Sequence, residues 1–234
     1  MKRLSGVRLQ VADPGALADF YVHTLGMVAR REGECWRVGY EGGDADLLLF
    51  GGGQPNEPAR DHRYWKIGIC LLNLDLACEQ LRAAGVAVSD PQQFFDIGYM
   101  AHLTDPEGFA IELLQHDFEG NRAAELGDPQ QPLGGGAHVG QITLRSNDIA
   151  AEIMQYEALG MRLMSVQDVS QLGFDLYFLG FSDEALPDPD PRVVANREWL
   201  WRRPYSLLEF QHLPSASLRD HPAYLGLEIA DNSP

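Results

Sequence analysis

The sequence predicts an α+β fold of tandem βαβββ modules, whose curved mixed sheets pair around a cleft. Two Gly- and Pro-rich breaks, at 51–58 and 127–136, divide the 234-residue chain. The resulting pieces, roughly 1–50, 60–117 and 137–213, read alike, which marks an internal repeat. Each piece opens with an alternating strand, continues into a helix stopped by glycine, and ends in further strands.

In the first module the opening strand is 7–11, VRLQV, with apolar and polar residues alternating. Asp13 follows, placed to accept from the free N–H groups of a starting helix. Leu17, Phe20 and Tyr21 repeat at helical spacing, and Gly26 can supply a left-handed stop. The second module repeats the order with 66–71, Asn73, the apolar set Leu74, Ala77, Cys78 and Leu81, and then Gly85. The third does so with 141–145, Asp148 and Gly160. Later strands are expected at 36–40, 100–104 and 174–179. Asp13 and Tyr21 are eight apart, as are Asp148 and Tyr156, and the tripeptide LGM follows both pairs. A fourth opening strand begins at 224–231. Neither Gly-rich break has the strand–turn–helix setting or the Lys-Ser/Thr ending of a phosphate loop. The implied organisation is a two-module domain at 1–118, a linker at 119–136, and a domain at 137–234 with one module and one strand.

Composition narrows the partners. Lys and Arg number 18 against 34 Asp and Glu, a formal charge of -16. That field repels phosphate backbones and anionic lipid, so neither nucleic acid nor membrane is an expected partner. The three cysteines, Cys35, Cys70 and Cys78, lack metal-type spacing and their odd number argues against a disulfide framework. The N-terminus has no apolar signal segment, and no apolar run approaches the ~20 residues that span a bilayer. A cytoplasmic location is the expectation.

The segment DPEGFAIELLQ at 105–115 and the paired helix–LGM signatures resemble the vicinal oxygen chelate superfamily. That group includes glyoxalase I, type I extradiol dioxygenases, fosfomycin-resistance enzymes and bleomycin-binding proteins. The third module, with QITLRSND, GMRLMSV and NREWLWRRPYSLLEFQH, is similar to the first half of glyoxalase I. The resemblance implies a glyoxalase-like fold with metal ligands on the first and last strands of each module. Here the first-strand positions are Gly6, Lys66, Gln141 and Tyr224, and the last-strand positions are Leu49, Glu112 and Glu209. Only the third module has oxygen donors at both, Gln141 and Glu209. The resemblance therefore implies a divalent cofactor there, Zn, Ni, Co, Mn or Mg. Arg145 corresponds to an arginine that holds the glutathione carboxylate in glyoxalase I, and it shares a strand face with Gln141. The chain also departs from the pattern. Lys66 stands where a His belongs, Leu213 where an Asn contact belongs, and Asp220 where a second anion-binding Arg belongs.

Lys66 and Glu112 are expected to form an ion pair, with His102 on the pocket wall beside them. Together with Arg145 these are the candidate substrate-binding residues. Glu107, in the turn at 105–108, is expected in solvent. Trp199 and Trp201, with Arg197, Arg202 and Arg203, are expected to cover the cleft. His116, His138, His212 and His221 form no paired zinc motif.

The implied function is a glyoxalase I-like lyase acting on a small molecule, in which the metal holds an enediolate and Glu209 takes the proton. The alternative is a small-molecule binding protein of the bleomycin-resistance type, without catalysis. An extradiol dioxygenase would need two histidines at ligand positions, and none occur there. Modules one and two are expected to pair. Module three would then either dock on that pair in a compact monomer or, the favoured expectation, meet its own copy in a homodimer, bringing two Gln141 and two Glu209 to one axis.

Overall fold

A computed structural model describes residues 2–231. Module one comprises β1 (Lys2–Gln10), α1 (Pro14–Leu25), β2 (Val28–Glu32), β3 (Cys35–Gly39) and β4 (Asp46–Phe50). Module two comprises β5 (Tyr64–Leu71), α2 (Leu74–Ala83), β6 (Gln92–Phe94), β7 (Gly98–Thr104) and β8 (Ala110–Gln115). Module three comprises β9 (His138–Ser146), α3 (Ile149–Ala158), β10 (Arg162–Val169), β11 (Phe174–Gly180), α4 (Ala195–Trp201) and β12 (Leu207–His212). A last strand, β13 (Tyr224–Asp231), opens a fourth.

The helices begin where the sequence places their caps. The Asp13 carboxylate accepts from the Gly15 and Ala16 N–H groups, Asn73 from Leu76, and Asp148 from Ala151. Gly26, at φ 74°, ends α1 in the left-handed conformation that glycine adopts without a Cβ clash.

The modules pair differently from the expectation. One sheet has the order β13-β1-β4-β3-β2, and the other β10-β11-β12-β9-β5-β8-β7-β6. Module two thus joins module three edge to edge, through antiparallel β5 and β9, with Ile67 opposite Ile142 and Gly68 opposite Gln141. Module one is closed instead by β13, antiparallel to β1. The segment 119–136 links β8 to β9, two strands of the same sheet. The opening strand of module three, expected beside its own copy, is paired instead with β5 of the same chain. Ile67, Ile69, Ile142 and Leu144 are all under 2% exposed, so this seam is buried on the side facing the main core.

That core is continuous between the two sheets, from Leu9 and Leu47 to Ile111, Leu144 and Phe210. A smaller apolar cluster lies on the opposite face of the large sheet, with Ile97, Met100, Phe178 and Trp201. Glu107 corrects the expectation of a solvated turn. It is buried, and its two oxygens accept from the Ala12 and Asp13 N–H groups at 2.7 Å each. The turn of module two is thereby tied to the start of α1, where the free N–H groups favour a carboxylate. Tyr64 of β5 stacks on Tyr224 of β13 at 5.5 Å, a second tie between the sheets. All three cysteines are free and buried. No helix among the described residues is long and apolar enough to cross a membrane.

Candidate functional site

The seam between β5 and β9 brings four side chains to one point. Lys66 lies opposite Thr143, and Gly68 opposite Gln141. On either side, β8 places Glu112 next to Gly68, and β12 places Glu209 next to Thr143. Exchanging the two modules swaps Lys66 with Gln141 and Glu112 with Glu209, so the cluster sits on a local two-fold axis. Gly68 makes the arrangement possible, because a Cβ there would lie 2.3 Å from Gln141 Cγ. Without that Cβ, the Gln141 side chain crosses β5 and reaches Glu112.

All four side chains are buried. Lys66 Nζ is 2.9 Å from Glu112 Oε1 and 3.0 Å from Glu209 Oε2. Gln141 Nε2 donates to Glu112 Oε1 at 2.6 Å, and the Thr143 hydroxyl donates to Glu209. His102, on β7, has Nε2 3.0 Å from Glu112 Oε2 and a side chain about half exposed. Gln141 Oε1 is buried and has no partner. The expected Lys66–Glu112 ion pair is therefore formed, and Glu209 completes it from module three.

Electrostatics separate the two carboxylates. Burial opposes the charge on Lys66, but Glu112 and Glu209 outweigh it and raise its pKa above the ordinary value. Burial also works against the Glu112 charge; Lys66 and then His102 overcome it, holding that carboxyl well below its usual range. Glu209 ends on the other side. Burial and the charge of Glu112 raise its pKa despite the pull of Lys66 and Thr143. One cation thus sits between two carboxylates, and the surplus negative charge falls on Glu209.

The donor set does not fit a resident divalent ion at Gln141 and Glu209. A metal ligand must present a lone pair, and a charged lysine has none. Lys66 Nζ already bridges the two carboxylates that an ion would use, and Gln141 turns its N–H toward Glu112. Among the described residues no group of three His, Cys, Asp or Glu is arranged to hold a metal.

Against this cluster lies a cavity of about 240 Å³. Lys66, Glu112, Gln141 and Glu209 form its polar end, with His102 beside them. Module two contributes apolar wall from Ile97, Met100 and Leu114, and module three from Leu176, Phe178 and Trp201. The expected cover is present in α4. The Trp201 indole N–H donates to the Ile97 carbonyl at 3.1 Å, and its ring meets Phe178 edge-on at 5.1 Å. Arg197 pairs with Asp96 and Arg202 with Asp117, pinning α4 to module two. Trp199 takes no part in the wall and lies under the Arg203 guanidinium.

Arg145 lies outside this cavity. Its Nε donates to Gln211 Oε1 at 2.9 Å, Nη1 donates to the Ala59 carbonyl, and the guanidinium stacks on Trp65 at 4.7 Å. It borders a second hollow of about 390 Å³ together with Arg60 and His62, and Trp65 stands between the two spaces. Burial, then the charge of Arg60, lowers the Arg145 pKa to about 10. The counterpart positions in the small sheet offer no such centre. Gly6 and Leu49 carry no donor, and Tyr224 stacks on Tyr64.

Two participants were missed from sequence, Gly68 and Thr143. Thr143 stands between Gln141 and Arg145 at a spacing of two, so strand alternation already placed it on their face. Gly68 had no signal until its cross-strand partner was known.

Residues 3–113 match the Glyoxalase/Bleomycin resistance protein/Dioxygenase superfamily model. No curated protein matches the chain. Glyoxalase I from Zea mays is similar in structure at a TM-score of 0.71 and 18% identity, over 98% of this chain and 74% of that one. A mutant form of the same enzyme is similar at 0.69 and 20% identity, with the same coverage. TnmS3, an antibiotic binding protein from Streptomyces sp. CB03234, is 27% identical over 48% of this chain and 94% of its own, at a TM-score of 0.41. The matched stretch holds modules one and two, which lie in different sheets, while the glyoxalase I likeness extends over nearly the whole chain. The chain therefore has the glyoxalase fold, and its residues 3–113 carry the match to the Glyoxalase/Bleomycin resistance protein/Dioxygenase superfamily model.

Proposed function

We propose that the chain binds a compact, largely apolar ring compound, whose polar end reaches Lys66, Glu112, Gln141 and Glu209. The cavity carries this reading. Its walls are largely aromatic and aliphatic from two modules, and its charged groups converge at one end, the usual character of a small-molecule site. A dry cavity of about 150 Å³ accepts benzene, so about 240 Å³ suits one or two rings. The polar end sets a further condition. Gln141 Oε1 lacks a donor, while an ammonium has three N–H groups and the two carboxylates use two. A hydroxyl or amide on the ligand can answer both needs. Of the functions implied by the sequence, this corresponds to the small-molecule binding alternative without a metal, with the polar groups named here all supplied by one chain.

Calorimetric titration with naphthol should give saturable, one-to-one binding. Naphthalene, which lacks the hydroxyl, should bind more weakly, and Leu176→Trp, which fills the cavity, should bind neither. A folded protein that takes up neither compound rejects the reading.

A catalytic reading has one observation in its favour, the raised pKa of Glu209 at the end of the cavity. Glu209 would then accept a proton from the bound compound, with the Lys66 ammonium beside the oxygen that gains charge. Conversion of a bound compound that stops in Glu209→Gln, with binding retained, would favour this second reading.

A further inference from the structure

We infer that the Lys66 side chain is a built-in substitute for a divalent cation, and that residue 66 alone decides whether this centre takes a metal. Four strands from two modules converge here, and they bring two buried carboxylates to opposite sides of one point. Two buried carboxylates so close together need positive charge between them. Nζ supplies it at 2.9 and 3.0 Å, from the first-strand position of module two. The two-fold counterpart of Lys66 is Gln141, a neutral side chain whose Oε1 is buried without a partner. Apart from Thr143, whose hydroxyl is engaged by Glu209, the rest of the centre therefore already holds three oxygen-bearing side chains, Glu112, Gln141 and Glu209. Only the charged nitrogen of Lys66 excludes an ion, by filling the centre and by satisfying its charge.

Replacing Lys66 by a neutral donor should empty the centre and leave two carboxylates that recruit a cation. An imidazole at 66 offers a nitrogen lone pair, and with Gln141, Glu112 and Glu209 completes a four-donor set of the kind Zn²⁺ and Co²⁺ accept. Purified without a polyhistidine tag and dialysed against Zn²⁺ or Co²⁺, wild type should retain no metal above background. Lys66→His should retain one ion per chain, develop the visible absorption of bound Co²⁺, and melt higher with Zn²⁺ than without it. Lys66→Gln serves as the second variant, and Lys66→His combined with Glu112→Gln should lose the ion again. A full equivalent of metal retained by wild type would overturn the inference. So would folded Lys66→His and Lys66→Gln proteins that retain no more than wild type. The experiment needs no organic ligand, so its failure is separate from failure of the ring-compound reading.

Discussion

Lys66 is buried with two carboxylates, and among the described residues the half-exposed His102 beside Glu112 is their one other basic neighbour. Breaking a buried ion pair by removing one partner costs about 3–5 kcal/mol, and Lys66→Met should fall in that range. The deficit should depend on pH. Without the ammonium, burial raises both carboxyl pKa values, so the folded variant holds protons that the unfolded chain releases. Stability is then lost as pH rises, and the deficit relative to wild type should be smaller at pH 5 than at pH 8. Urea unfolding at the two pH values measures this; equal deficits would mean that packing of the lysine chain, not its charge, matters. The sequence supported the Lys66–Glu112 pair, because both occupy corresponding positions of one module. It could not show Lys66 reaching Glu209, 143 residues away, since that contact exists only once modules two and three pair. Glu107 was misread for a similar reason. The turn DPEG carries the signs of a solvated loop, and the helix start that covers it belongs to another module.

Strands, caps and helix stops were legible because each depends on residues a few positions apart. Pairing of the modules was not, because β1, β5, β9 and β13 all open a module with a similar alternation. Choice among them rests on contacts across the seam, and the β5–β9 seam has a specific lock. Gly68 admits the Gln141 side chain, and Gly140 admits Cys70, whose Sγ would lie 2.2 Å from a Cβ at 140. Gly68→Ala should therefore displace Gln141, cost about 1–3 kcal/mol by overpacking, and weaken naphthol binding. Combining it with Gln141→Ala should restore part of the stability, because the clash is removed, but not the binding. A double-mutant cycle by urea unfolding and calorimetry reads both effects. Additive stability losses would show that the two side chains do not meet.

Across the whole molecule, buried imidazoles set the response to acid. Burial lowers the pKa of His62, His116, His138 and His221, with His116 and His221 brought to about 4. An unfolded histidine titrates near 6.5, so between these values the unfolded chain binds more protons than the folded one. The stability contributed is present above about 6.5 and is lost as pH falls toward 4. Asp105 acts the other way. Burial raises it to about 6, so its contribution is lost as pH rises, and Glu209 has the same sign. Asp44 and Asp46 are raised by burial as well, so four carboxyls oppose the four imidazoles. His116 and His221, held at about 4, titrate deepest in this window and give a net loss on acidification, on the order of 1–3 kcal/mol between pH 7 and 5. The loss should be felt first where the sheets meet. His62 and His221 lie 4.5 Å apart, ring to ring, and His221 also packs on Tyr64 and Phe109. Protonating either one places a charge against Arg145 and Arg219 in that contact. Urea midpoints at pH 7, 6 and 5 should fall steadily, and His221→Phe should flatten the slope while keeping the ring contact. A midpoint that rises on acidification, or a slope unchanged in His221→Phe, would show that these imidazoles do not govern the junction.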